Sequence, residues 1–247
     1  MRHRRTRALA AVWVAGIVLV AAGCAPGPVL PPGAPPSQPA SCPYEASSVQ
    51  ANGDSVGFGY AARLRLPAPY SLFNAAQGAS AWTISIQVPS IGTRVREWIE
   101  RCGTPAVVVV QGGVIDVTRS LPIDAMIAEV SELSDWLEAR GVPTVWVGVN
   151  PFPHVSPYMA KDARRVAYNE WLTTPGNVWG DAVDCTSALE DPARPGTLAP
   201  AFWDVIDLEG NPDGIHPNSA GYHAMAGCVR AVVLDVLGRT ADDGSGT

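Results

Sequence analysis

Hydrophobic and polar positions follow two periods along this chain, and the switches between them mark its elements. Over residues 47–51, Val49 and Ala51 fall on one face and Ser48 and Gln50 on the other, which predicts a short strand. Gly53 breaks it, and a short helical segment holding Ala61, Ala62 and Leu64 follows. Residues 70–74 read as a second strand. Residues 89–102 read as a helix with Ile91, Val95, Trp98 and Ile99 on one face. Residues 106–111 contain a run of four valines, the pattern of a strand buried on both sides. Residues 122–140 form the clearest helix: Ile123, Met126, Ile127, Val130, Leu133 and Leu137 recur at helical spacing, Pro122 suits the first turn and Gly141 the stop. A buried strand over 144–150, a helix over 158–173 and a weaker strand over 178–183 come next. The last helix spans 219–237, with Ala226, Val229, Val233 and Val236 inward and Gly238 as its stop. Strand and helix alternate, so the expected class is α/β, a parallel sheet covered by helices on both faces.

The ends of the chain read differently. Arg2, Arg4, Arg5 and Arg7 precede an uncharged apolar run over 8–23, which predicts a secretory signal over 1–23. The run is shorter than the ~20 apolar residues of a spanning helix. Ala21-Ala22-Gly23-Cys24 resembles the cleavage box of bacterial lipoproteins, with Ala21 where leucine is usual. Cys24 is then the lipid-bearing first residue of the mature chain. Plain secretion, or an uncleaved anchor, is the alternative. Residues 24–41 are rich in Pro, Gly, Ser and Ala and predict an extended tether. One domain is expected over 42–238, and a polar, disordered tail over 239–247.

Charge and cysteine content narrow the chemistry. The whole chain carries −6, and its first 23 residues hold four arginines and no acid, so the remainder carries −10. That excludes nucleic-acid binding, which needs a basic footprint, and it offers anionic lipid no polybasic grip. Membrane attachment therefore rests on Cys24. Beyond it stand Cys42, Cys102, Cys185 and Cys228, an even set that predicts two disulfides in an exported chain. Three pairings are possible. Cys42–Cys102 with Cys185–Cys228 is the expected one, because Cys42 and Cys102 each lie a few residues before a strand, at the amino edge of the sheet. With no CxxC pair and few histidines, no metal site and no cofactor are expected.

Two stretches carry reactive groups. Ala51-Asn52-Gly53-Asp54-Ser55-Val56-Gly57 puts a serine at the turn after the first strand, on the sheet edge where open α/β sheets bind ligands. Asp213-Gly214-Ile215-His216-Pro217-Asn218 supplies a carboxylate and an imidazole three residues apart. Together they hold a nucleophile, a base and a group to orient the base. The serine turn also fits Gly-x-Ser-x-Gly, the elbow of α/β-hydrolases. In that fold the serine follows a middle strand and the acid lies far upstream of the histidine, unlike here. His154, after the strand over 144–150, competes for the base role but has no carboxylate near it in sequence and reads as a rim residue. His223 reads as structural. Trp82, Phe152 and Trp203 are candidates either for an acyl pocket or for core cover.

Gly53-Asp54-Ser55 and Asp213-Gly214-Ile215-His216, at opposite ends of the domain, resemble the first and last blocks of the SGNH hydrolases, also called the GDSL esterase family. The resemblance spans about residues 46–237. It implies a flavodoxin-like three-layer α/β/α sandwich with a five-stranded parallel sheet, and ester hydrolysis through an acyl-enzyme without metal. Carried over block by block, Ser55 is the nucleophile and an oxyanion N–H donor. Gly78, in Asn74-Ala75-Ala76-Gln77-Gly78, is a second N–H donor. His216 is the base, and Asp213 holds it. The family's third block, Gly-x-Asn-Asp, reads Gly112-Gly113-Val114-Ile115-Asp116 here. Ile115 stands where the oxyanion asparagine belongs, and isoleucine donates nothing. Asn150 and Gln111, ending neighbouring strands at the same edge, are the candidate substitutes. The alternative is that both amides serve local backbone and that Ser55 and Gly78 act alone. Asp116 reads as a turn or cap residue. The expectation is an exported, lipid-anchored, monomeric serine esterase acting on a small-molecule, glycan or lipid ester. An O-acyltransferase of envelope glycans, or a binding protein that keeps the fold without turnover, are the alternatives.

Overall fold

The computed structural model describes residues 42–84, 88–205 and 210–244, with side chains to residue 240. The expected signal over 1–23, Cys24 and the tether over 24–41 lie outside the described residues, as do residues 245–247. Five strands, β1 (Ser48–Asn52), β2 (Ser71–Asn74), β3 (Val107–Gln111), β4 (Thr144–Val147) and β5 (Asp181–Val183), form one parallel sheet in the order β2-β1-β3-β4-β5. The register pairs Val49 with Val107 and Ala51 with Val109. Parallel neighbours need crossovers, and the crossovers are helices. Thus α2 (Ile91–Cys102), α4 (Ile123–Glu138) and α5 (Asp162–Thr173) pack along one face, and α1 (Ser55–Ala61) and α7 (Ser219–Gly244) along the other. Val107 to Val110 are at most 1% exposed, as their unbroken run implies, each burial contributing about 1.5–3 kcal/mol. The order reverses between β1 and β3, which puts a switch point beside the turn that carries Ser55.

Several boundaries differ from the sequence reading. β1 begins and ends one residue later. β4 stops at Val147, because the Asn169 side chain pairs with both backbone groups of Val149, N–H to Oδ1 and Nδ2 to C=O, each at 2.9 Å. β5 begins only at Asp181. Gly180, at φ 89°, passes so close to Thr144 that a Cβ would lie 2.2 Å from its carbonyl oxygen. α4 ends at Glu138, two residues before the expected 140, and Gly141 at φ 60° turns the chain just beyond. α7 does not stop at Gly238 but runs to Gly244. One interior glycine costs only about 1 kcal/mol, and Arg239, paired with Asp235 and with Asp181 of β5, ties the added turn down. α7 is long and apolar enough over Ser219–Thr240 to cross a membrane, yet it buries Met225, Ala226, Val229, Val233, Val236 and Leu237 in this domain's core.

The stretch 184–217 shows no helix or strand period in the sequence. It holds α6 (Thr186–Leu189), the antiparallel ribbon of β6 (Glu190–Asp191) with β7 (Arg194–Leu198), and that of β8 (Trp203–Val205) with β9 (Pro212–Pro217). The five-residue α3 (Val114–Thr118) was likewise too short to leave a period. Both expected disulfides are present: Cys42–Cys102 with Cα atoms 5.4 Å apart, and Cys185–Cys228 at 6.0 Å.

Candidate active site

The turn after β1 is built for close approach. A Cβ on Gly53 would lie 2.5 Å from the Gln111 carbonyl oxygen, so the β1 and β3 ends can meet this closely only at glycine. Asp54 then caps α1, its Oδ1 accepting from the N–H groups of Val56 (2.9 Å) and Gly57 (3.4 Å). Burial raises the Asp54 carboxyl to about 6, against the lowering effect of those N–H groups. The cap makes Ser55 the first residue of α1, where a backbone N–H has no partner within the helix.

His216 arrives on β9. Its Nε2 lies 2.7 Å from Ser55 Oγ, across 161 residues of sequence. Its Nδ1 bonds Asp213 Oδ2. The other carboxylate oxygen, Oδ1, accepts from the N–H groups of Ile215 (2.8 Å) and His216 (2.7 Å), so the turn around Gly214 (φ 86°) wraps the acid onto the ring. The Asp213 hydrogen bond raises the His216 pKa, in spite of partial burial. Burial pushes the Asp213 carboxyl up, but the ring and the two N–H groups outweigh it and hold it below its usual range. With its proton on Nδ1 facing Asp213, a neutral His216 turns the Nε2 lone pair to the Ser55 hydroxyl. This arrangement can take a proton from the serine as it attacks an electrophile.

The segment 74–78 runs beside Ser55: a Cβ on Gly78 would lie 3.9 Å from the serine Cβ. Asn74 shapes it, accepting from Ala76 N and donating to Phe58 O, both at 3.2 Å. No acceptor among the described residues takes the N–H of Ser55 or of Gly78. Asp116 is more than a turn or cap residue. Buried at 1% exposure, its carboxylate accepts from Trp82 N (3.0 Å), Thr83 N (3.1 Å) and Thr83 Oγ1 (2.7 Å), bracing the far end of the loop that follows Gly78. Ile115 is part-exposed on α3.

Asn150 does not offer a free donor. Its Nδ2 donates to Pro151 O (3.1 Å) and Ile215 O (2.9 Å), so the amide braces the turn that carries His216. Ser156 adds a second brace, Oγ to Gly214 O at 2.7 Å. The Gln111 side chain is fully buried beneath the serine turn, its Oε1 3.1 Å from where a Gly57 Cβ would stand. Trp82 and Phe152 are buried in the core, at 2% and 0% exposure. Trp203 is part-exposed, donates Nε1 to Leu198 O (2.9 Å) and lies 5.3 Å, ring to ring, from His154. His154 faces Arg194 (3.4 Å) rather than Ser55, and exposed His223 bonds its own helix at Ser219 O (2.8 Å). Arg94, Ser156 and Asn169 support the site without having been singled out from sequence. Only Arg94 left a signal, a charge on the apolar stripe of α2 between Ile91 and Val95.

The sequence matches, over residues 46–224, the model of the GDSL-like Lipase/Acylhydrolase family. No functionally curated protein matches it. Among solved structures, a member of the lipolytic protein G-D-S-L family from Veillonella parvula shares 13% identity over 76% of this chain and 98% of its own, with a TM-score of 0.57. A carbohydrate acetylesterase family member from Sinorhizobium meliloti shares 13% over 77% and 99%, at 0.51. A carbohydrate esterase family 3 protein from Talaromyces cellulolyticus shares 17% over 78% and 98%, also at 0.51. At such identities these likenesses speak for the fold.

Proposed function

The chain belongs to the GDSL-like lipase/acylhydrolase family and is a carboxylic ester hydrolase; from that premise we propose that it is an exported serine esterase working through Ser55, His216 and Asp213. The carrying observation is the 2.7 Å contact between Ser55 Oγ and His216 Nε2, with Asp213 bonded to the far side of the ring. Ser55 Oγ attacks the ester carbonyl as its proton passes to His216 Nε2. Asp213 stabilises the imidazolium that forms and keeps its orientation. The oxyanion is received by the N–H groups of Ser55 and Gly78. Collapse of the tetrahedral adduct expels the alcohol, which takes the proton from His216. Water, deprotonated by the same nitrogen, then attacks the acyl-enzyme, releasing the acid and restoring the serine.

With Asn150 engaged by the His216 turn and Ile115 unable to donate, the reading assigns the oxyanion two backbone donors and no side chain. The names of the acetylesterase and carbohydrate esterase neighbours support a small acyl group on a sugar as substrate. The two disulfides support an oxidising compartment outside the cytoplasm. A signal over 1–23, lipid on Cys24, a tether over 24–41 and a single catalytic domain from residue 42 through α7, past the expected limit of 238, complete the proposal. The altered third block keeps acyl transfer to a sugar hydroxyl as the second reading. Labelling by a fluorophosphonate probe, with Ser55→Ala as control, tests the nucleophile. Failure of the folded wild type to label would favour a binding protein. Product analysis with a sugar acceptor present separates hydrolysis from transfer.

A further inference from the structure

We infer that Arg94 is a positioning residue for ester hydrolysis: its guanidinium sets the separation of the Ser55 turn and the Gly78 segment by holding one backbone carbonyl of each. The inference rests on the reading above, in which those two segments supply the oxyanion donors. Arg94 sits on the inward stripe of α2 and is 5% exposed. Its Nη2 donates to Gly53 O at 2.7 Å, two residues before Ser55, and its Nη1 to Ala75 O at 3.0 Å, three before Gly78. Two main-chain bonds join the same segments, Ala75 N to Ala51 O (2.7 Å) and Gln77 N to Gly53 O (2.9 Å). The guanidinium closes that set with two charge-assisted bonds, each stronger than a neutral one.

A purely structural role accounts poorly for a cation here. The buried residues of α2 are otherwise Ile91, Gly92, Val95 and Ile99, and an apolar side chain would bury without desolvating a charge. Among the described residues no carboxylate forms an ion pair with Arg94. Burial draws its pKa down to about 10, with Asp54 and Glu97 resisting, so it stays charged at neutral pH. Its two bonds go to the two segments flanking the nucleophile. With isoleucine at 115, backbone N–H groups carry the oxyanion, and their spacing is fixed only as well as these segments are fixed.

Arg165 provides the contrast. It is 2% exposed and makes four hydrogen bonds to the two of Arg94, but two of them go to Asp162 and the others to Thr186 and Gly196, outside every segment carrying Ser55, Gly78 or His216. The test compares the full chain with Arg94→Met, Arg94→Lys and Arg165→Met, measuring kcat and KM on p-nitrophenyl acetate alongside the melting temperature. Arg94→Met is expected to lower kcat ~10–100-fold with KM within about twofold, since a donor misplaced by about 1 Å costs up to ~100-fold. Arg94→Lys, whose ammonium is a point donor rather than a fork, should recover part of that kcat. Arg165→Met should lower the melting temperature and leave kcat within about twofold. Wild-type kcat in folded Arg94→Met, or a kcat loss matched by Arg165→Met, overturns the inference. If Arg94→Met does not fold, Arg94→Lys decides: a wild-type kcat there overturns it, and a lowered kcat at unchanged KM supports it. A wild type that neither turns over nor takes the fluorophosphonate label fails the esterase reading itself, a result distinct from any of these.

Discussion

Asn150→Ala separates two roles for an amide at the edge of the sheet. As an oxyanion donor, its loss costs about 10²–10³ in kcat and little stability. As a brace, its loss acts on folding first. Asn150 is 2% exposed, and Nδ2 donates to Ile215 O at 2.9 Å and to the adjacent Pro151 O at 3.1 Å. Truncation leaves Ile215 O, in a part-buried turn, without that donor, which costs about 1–3 kcal/mol. It also removes Asn150 Oδ1, a buried acceptor with no partner among the described residues, and this offsets part of the cost. The net expectation is about 1 kcal/mol, a fall in melting temperature of about 2–4 °C for a domain of this size. The assay is a thermal melt read beside kcat for a short-chain aryl ester, well below the melt. A loosened Asp213–His216 turn should lower kcat by less than ~10-fold, far short of the loss of a direct donor. An unchanged melt with a kcat loss of ~10² or more would refute the brace and make Asn150 the third donor after all.

Other outcomes follow from the same geometry. The base must be neutral, and the Asp213 bond raises the His216 pKa above 6.5, so kcat/KM should rise with pH through a midpoint above that value. Asp213→Asn should move the midpoint down, and a midpoint at or below 6.5 in the wild type would break the assignment. Asp54 titrates at about 6 when folded against 3.8 when free, so its contribution to stability is present below 3.8 and lost as pH rises through 6. Asp54→Asn keeps the capping oxygen and should melt higher than wild type above pH ~6, with the gap closing near pH ~4; a gap independent of pH would contradict the buried-carboxylate account. Opening the 43-residue Cys185–Cys228 span or the 60-residue Cys42–Cys102 span should cost up to about 4 kcal/mol each by chain entropy, read as a lower melt for each Cys→Ser pair. An unchanged melt would show the bond to be dispensable. His154→Ala should alter turnover only modestly while His216→Ala removes it, and equal losses would mean that the base is misassigned.

What the chain determines by itself is local. Helical spacing from Ile123 to Leu137 and the valine run at 107–110 specify α4 and β3, because a period or a fully apolar run reports which faces an element must bury. Gly53-Asp54-Ser55 and Asp213-Gly214-Ile215-His216 are legible for the same reason. The cap of Asp54 on α1 and the wrap of Asp213 onto His216 are contacts within two or three residues, so spacing alone encodes them. The ribbons of 190–217 escaped because strands of two to six residues, partly exposed, are too short to establish a period.

The tertiary structure decides everything that depends on distance between segments. Strand order brings Ser55 within 2.7 Å of a histidine 161 residues away. It also decides partners. An asparagine amide or a guanidinium has the same letter and the same protons whether it faces a reacting oxygen or a backbone carbonyl. Asn150 braces Ile215 O, Asn169 ends β4 by pairing with Val149, and Arg94 spans Gly53 O and Ala75 O. Each choice is made by acceptors whose positions are set by the packing of the whole domain, since a hydrogen bond is gained or lost within less than 1 Å, a precision that no pattern of hydrophobic and polar residues carries.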